Sequence, residues 1–160
     1  MGEFAEFPIH YRAFLRGYPW RRIRPVPFAP LRMPLSQARI ALVTSAGFTA
    51  EGQERFDDAT RGGDVSFREI PQATPVASLR EDHRSELFDH AGIRSDPNLA
   101  LPLDRVRELA DRGRIGSVNR RHISFMGSIT APGRLVKHTA PAAAEVLASD
   151  AVDIALLVPV

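Results

Sequence analysis

Three groups of residues have types and spacings that could do chemistry. Thr44-Ser45-Ala46-Gly47 closes an apolar run with small side chains, which lets a ligand or another backbone approach closely. Ser45 and Gly47 are therefore candidates for lining a substrate pocket, with a tight turn as the equal alternative. Asn119, His122 and Ser124 lead into a strand-like stretch. There they either touch a substrate and tune a nucleophile, or make structural hydrogen bonds. Asp82, His83, Glu86 and His90 offer the imidazoles and carboxylates of a metal-dependent hydrolase. On a helix, however, His90 lies two turns from His83, beyond easy reach of one ion, so a solvated helix face is favoured and no metal site is expected. Asp104 stands in the first turn of a helix, where a carboxylate stabilises the dipole. Cysteine is absent, which excludes disulfides, thiolate metal sites and a cysteine nucleophile within these residues.

The elements that must position these groups are legible from periodicity. Ile40-Ala41-Leu42-Val43 is a continuous apolar run, as expected of a strand buried on both faces of a parallel sheet. Residues 48 to 66 are polar and glycine-rich and read as a loop; Val65 to Ile70 alternates and ends at Pro71, as a short strand does. A helix is predicted from Leu79 to Ala91, with Leu79, Leu87, Phe88 and Ala91 inward and Gly92 as its stop. A second runs from Pro102 to Arg112, with Leu103, Val106, Leu109 and Ala110 inward and Gly113 ending it. His122 to Gly127 is a strand, with Phe125 and Met126 in the core. Leu135 to Ser149 is helical, with Pro141 breaking it or starting a second segment near Thr139. Val152 to Val158 reads as another buried strand, entered at Asp153. Strands alternating with helices predict a Rossmann-like α/β domain with a mainly parallel sheet over residues 39–160.

Residues 1–38 differ. They hold six prolines and seven of the twelve aromatics, among them Phe14, Trp20 and Phe28. Prolines at this density oppose long helices and central strands, while so many aromatics oppose disorder. An extended arm anchored on the domain or on a partner subunit satisfies both.

The composition is that of a globular protein, 44% hydrophobic and 25% charged. No apolar run approaches the roughly 20 residues of a membrane span, and no signal peptide is recognisable, so a cytoplasmic location without membrane partners is expected. A net charge of +2 coexists with a pI near 9.6, because the cations are arginines apart from Lys137. They are interleaved with Asp and Glu rather than striped, so no nucleic-acid partner is expected. The chain closes on Ile154-Ala155-Leu156-Leu157-Val158-Pro159-Val160, its most hydrophobic stretch. A buried parallel strand needs a following turn and helix, so the domain is expected to be truncated there.

Several segments together resemble one family. Pro34 through Gly47, Gly63-Asp64-Val65-Ser66-Phe67-Arg68-Glu69-Ile70-Pro71, and Pro102 through Gly116 follow one another in the order of the selenoprotein B-type subunits of glycine/betaine/sarcosine/D-proline reductases. His122-Ile123-Ser124-Phe125-Met126-Gly127 and Asp153 through Val160 complete the similarity. The resemblance implies an oxidoreductase that reductively cleaves a C–N bond of such a substrate. It also implies a selenocysteine or cysteine nucleophile directly after Val160, with no catalytic residue present in this chain. A selenocysteine would be encoded by an in-frame UGA. A pyruvoyl group on a partner subunit, a thioredoxin-like or other dithiol reductant, and an oligomeric assembly are implied in the same way. The chain by itself would then be inactive. A non-catalytic subunit docking a partner through the aromatic arm is the alternative.

Overall fold

The computed structural model describes residues 4–18, 22–85 and 88–160. Trp20, Glu86 and Leu87, named above, lie outside the described residues. The chain divides into two units, Met1–Pro30 and Leu31–Val160.

The first unit contains a helix, α1 (Ile9–Gly17), where an extended arm was expected. Its prolines bracket the helix rather than interrupt it. Pro8 occupies the N-cap, and the next proline comes only after nine helical residues. None of the residues of α1 is buried.

The second unit comprises β1 (Arg39–Thr44), β2 (Phe48–Thr49), β3 (Phe67–Pro71), β4 (Arg80–Glu81), α2 (His90–Ser95), α3 (Leu103–Asp111), β5 (Ser117–Val118), β6 (Arg121–Phe125), α4 (Ala140–Ser149) and β7 (Ile154–Val158). Parallel β7 takes one side of β1 from Ile40 to Thr44. On the other side β5 pairs Arg39 and Ile40, and β6 pairs Val43 and Thr44, both parallel. Beyond β6 lies β3, antiparallel. The α/β class and mainly parallel sheet hold, with one antiparallel pair in the larger sheet; β2 and β4 form a separate two-stranded sheet.

β1 is the centre because both its faces are apolar. Ile40 and Leu42 pack with Ile70, Leu101, Leu103 and Val106; Ala41 packs with Ile123, Ala143 and Leu147 on the other face. Each fully buried leucine or isoleucine here contributes about 1.5–3 kcal/mol. α3 matches its predicted span, although Leu109 is exposed rather than inward. At Pro141, which has no N–H to donate, the helix widens instead of breaking. Leu135–Thr139 is a π-turn in which Ala140 N–H reaches back to Leu135 O, and α4 continues with Pro141 in its first turn.

Two expectations are corrected. The helix over Leu79–Ala91 is not formed: Arg80–Glu81 pairs with Phe48–Thr49 inside the predicted loop, and Asp82 N donates to Gly47 O at 3.0 Å. The helix starts only at His90, where Asp89 caps Gly92 N at 2.9 Å. Gly92 lies inside this helix; a side chain there would collide with the capping carboxylate. Second, β7 is a strand but not a buried one. It holds an edge of the sheet, and Leu156 and Leu157 are 44% and 67% exposed. A long apolar run encodes a strand; whether it is covered depends on what packs on it.

Candidate functional site

Ligands of open α/β sheets lie beyond the carboxyl ends of the strands, and three strands converge there. Ser45 N–H donates to Val158 O at 3.4 Å, and Gly47 N–H donates to Phe125 O at 2.7 Å. The turn after β1 thus ties β7 to β6. Ser45 Oγ accepts from Val160 N at 3.0 Å and donates to Val160 O at 3.3 Å, holding the second residue past β7.

Glycine is required twice at this end. Gly47 has φ +69°, and a Cβ there would lie 3.0 Å from His83 N. Gly127, just past β6, has φ +71°, and a Cβ would collide with Ser45 O and lie 2.7 Å from His83 Nε2. Segment 82–83 therefore closes the crevice against both turns.

Behind it lies a polar cavity of about 440 Å³, walled by Arg55, Glu81, Asp82, His83 and His90 among others. Asp82 is buried and accepts from Arg55 Nε at 2.6 Å and Phe56 N at 3.3 Å. Glu81 accepts from His83 N at 2.5 Å and faces His90 Nδ1 at 2.8 Å. Asp82 and His83 are thus buried, not members of a solvated helix face. Among the described residues, no group of three or more His, Cys, Asp or Glu is placed to hold a metal ion.

His90 has acceptors at both ring nitrogens, Glu81 at Nδ1 and Ser85 O at 3.0 Å from Nε2. Only the imidazolium satisfies both, and the Glu81 carboxylate accordingly raises its pKa. A raised folded-state pKa means stability that is full below the ordinary 6.5 and lost as pH climbs through the raised value. His83 and His122, both lowered by burial, are already neutral in that window. Urea unfolding is therefore expected to show wild-type stability falling above pH 6.5 relative to His90→Gln. Parallel profiles would contradict the pairing.

The sequence-predicted residues separate. Ser45, Gly47 and Ser124, which pairs with Thr44, gather at the carboxyl ends. His122 is fully buried between them and the core; its Nδ1 accepts from Leu42 N at 3.0 Å, filling the gap in the ladder between β5 and β6. Burial pushes its pKa down to about 4, with Arg107 adding to the effect. Asn119 lies at the amino ends, where its amide donates to Asp150 Oδ2 at 3.0 Å beside a cavity of about 480 Å³. Asp104 accepts from Asn98 and Arg107 at the start of α3, and these contacts lower its pKa.

Asp150 and its arginines were not anticipated. Adjacent Arg120 and Arg121 were visible in the sequence, but nothing local marked Asp150 as their partner.

The family model for glycine/sarcosine/betaine reductase selenoprotein B matches residues 9–159. The chain belongs to this family. Its relatives include D-proline reductase subunit gamma of Acetoanaerobium sticklandii, 33% identical over 84% of this chain and 54% of its own length. The sarcosine reductase complex component B subunit beta of Peptoclostridium acidaminophilum is 31% identical over 75% of this chain and 28% of its own. The glycine reductase complex component B subunit gamma of Carboxydothermus hydrogenoformans is 30% identical over 78% and 28%. The chain thus spans about half the length of the first of these relatives and about a quarter of the other two. No solved structure matches it. Among the described residues, no helix is long and apolar enough to cross a membrane.

Proposed function

We propose that this chain forms the floor of the reductive site in a selenol- or thiol-dependent reductase, with its redox-active selenocysteine or cysteine directly after Val160. The reading takes the sheet as Rossmann-like, so that reactive groups sit beyond its carboxyl ends. The observation that carries it is the clasp of Ser45 Oγ on both backbone groups of Val160, at the crevice between the Gly47 and Gly127 turns.

The substrate is a small amine of the glycine, sarcosine, betaine or D-proline kind, activated by a pyruvoyl group on a partner subunit. The chalcogenolate attacks carbon, so that a Se–C or S–C bond forms as the C–N bond breaks and the amine leaves with a proton from solvent. One thiol of a thioredoxin-like or other dithiol then attacks the selenium or sulfur and expels the carbon fragment, which takes up a proton. The second thiol resolves the mixed selenosulfide or disulfide, returning the chalcogenolate and leaving the dithiol as a disulfide. A selenolate suits this role because it is ionised at neutral pH, whereas a thiol with pKa about 8.5 is mostly protonated. Ser45, Gly47 and Ser124 line the site. His122 tunes it from the core, and Asn119 supports it from the opposite end of the strands. The complex is cytoplasmic and oligomeric, and residues 1–160 alone are inactive.

The coding sequence beyond Val160 and the activity of its product test the proposal together. A selenocysteine or cysteine codon is expected there. Its replacement by alanine is expected to lower amine release by at least about a thousandfold. Any other residue at that position defeats the proposal. Unchanged activity in the alanine variant would instead favour a docking subunit, whose surface is the aromatic segment with Phe14 and Phe28 60% and 87% exposed.

A further inference from the structure

Loop 57–66 and the segment after β6 wall a cavity of about 290 Å³, lined by Thr60, Arg61, Asp64, Ser66, Arg134 and Thr139 among others. Backbone hydrogen bonds fix the two walls to each other. Gly62 O accepts from Thr130 N at 2.9 Å and from Ala131 N at 3.1 Å. Gly62 has φ +89°, and a Cβ there would lie 2.6 Å from Ala131 Cβ, so this close approach needs glycine. The cavity is therefore preformed.

Its charges are unequally satisfied. Asp64 is engaged by its own loop: Oδ1 accepts from Ser66 N at 2.8 Å and Ser66 Oγ at 2.6 Å, and Oδ2 accepts from Asp57 N at 3.0 Å. Burial opposes its ionisation, but these bonds outweigh burial and lower its pKa. Arg61 and Arg134 are exposed, and among the described residues neither side chain has an ion pair or a hydrogen bond. Thr139 Oγ1 is buried and finds no partner among the described residues. The π-turn that begins beside Arg134 has no acid in its first turn, although this positive end of a helix favours one. A lone surface arginine is satisfied by water. Two that border one preformed cavity, whose carboxylate is already bonded, leave a positive site that a single negative charge neutralises.

We propose that this cavity binds the carboxylate of a small organic acid, clamped between Arg61 and Arg134. A guanidinium fork meets a carboxylate in two parallel hydrogen bonds. Two guanidiniums against Asp64 match a monoanion, whereas a dianionic phosphate would bring excess negative charge beside Asp64. About 290 Å³ lies at the lower end of ligand cavities, so the acid is small. The inference does not use the residue after Val160 and stands or falls apart from the reading above.

The test titrates the full-length protein with sodium acetate, and separately with sodium phosphate, at pH 7 and constant ionic strength. The backbone amide resonances of Gly62, Gly63 and Ala131 are followed. Acetate is expected to move them with a Kd on the order of millimolar. Arg61→Gln and Arg134→Gln are each expected to weaken binding about tenfold, and the double variant to abolish saturation. Arg112→Gln, at an exposed arginine beyond α3, is expected to leave Kd unchanged. Wild-type resonances that show no saturable shift up to about 100 mM acetate overturn the proposal without recourse to any variant. So does a Kd that the substitutions at Arg61 and Arg134 leave unchanged. Equal weakening by Arg112→Gln would reduce the effect to overall charge, and tighter binding of phosphate than of acetate would make this a phosphate site; either result defeats the carboxylate assignment.

Discussion

Replacing Asp150 by alanine is expected to lower unfolding free energy by about 3 kcal/mol, since it removes a buried acceptor of several charge-assisted hydrogen bonds. The carboxylate accepts from Arg120 Nε at 2.9 Å, Arg121 Nε at 2.8 Å and Asn119 Nδ2 at 3.0 Å. Arg121 also bonds Glu69 at 2.8 Å, so one side chain between α4 and β7 ties together β3, β6 and the β5–β6 connection. Arg120 is mostly exposed and its share is screened by solvent. The loss falls mainly on half-buried Arg121 and buried Asn119. Asp150→Asn keeps the shape without the charge and is expected to lose less. The Arg121 and Arg120 guanidiniums hold this carboxyl well below the usual carboxylate range. A depressed folded-state pKa gives stability that is present above the unfolded carboxylate value and lost as pH falls through the folded one. The gap between wild type and Asp150→Asn should therefore narrow below about pH 4. Urea unfolding checks both statements, and a change in Asp150→Ala under about 0.5 kcal/mol would remove the cluster from any account of stability.

Gly127→Ala is expected to be comparably costly, at about 2–4 kcal/mol, because two penalties coincide. The left-handed backbone at φ +71° costs an L-residue about 1–2 kcal/mol by itself. The new Cβ also meets Ser45 O, a backbone atom held between hydrogen-bonded strands, and His83, which is locked by its stack on Phe88. Gly52 separates the two contributions. It has φ +78° with nothing within 4 Å of its would-be Cβ, so Gly52→Ala should show the backbone cost alone. Equal melting shifts in the two variants would mean that the crevice at Gly127 is looser than its geometry implies.

The sequence by itself determined what depends on nearest neighbours along the chain. The apolar run of β1 needed both faces covered, and it found Leu42 fully buried on one side and Ala41 on the other. Leu103 and Val106 set the buried stripe of α3, and Pro141 fixed where the last helix changes its winding. The residues that carry the family resemblance, from the first strand through His122–Gly127 to Val160, likewise lie on short stretches that can be read locally. Tertiary structure decided everything that depends on a partner distant in sequence. Segment 79–91 had helical periodicity, yet pairing with Phe48–Thr49 drew its start into a strand and buried Asp82 and His83. Leu156 and Leu157 read as core, but their strand lies at a sheet edge, and edge position is a property of the sheet rather than of the strand. Ser45 and Val160 are 115 residues apart, and Asn119 and Asp150 are 31 apart. Burial periodicity is written into consecutive side chains. The acceptor that a buried donor finds is set only when the strands are brought side by side.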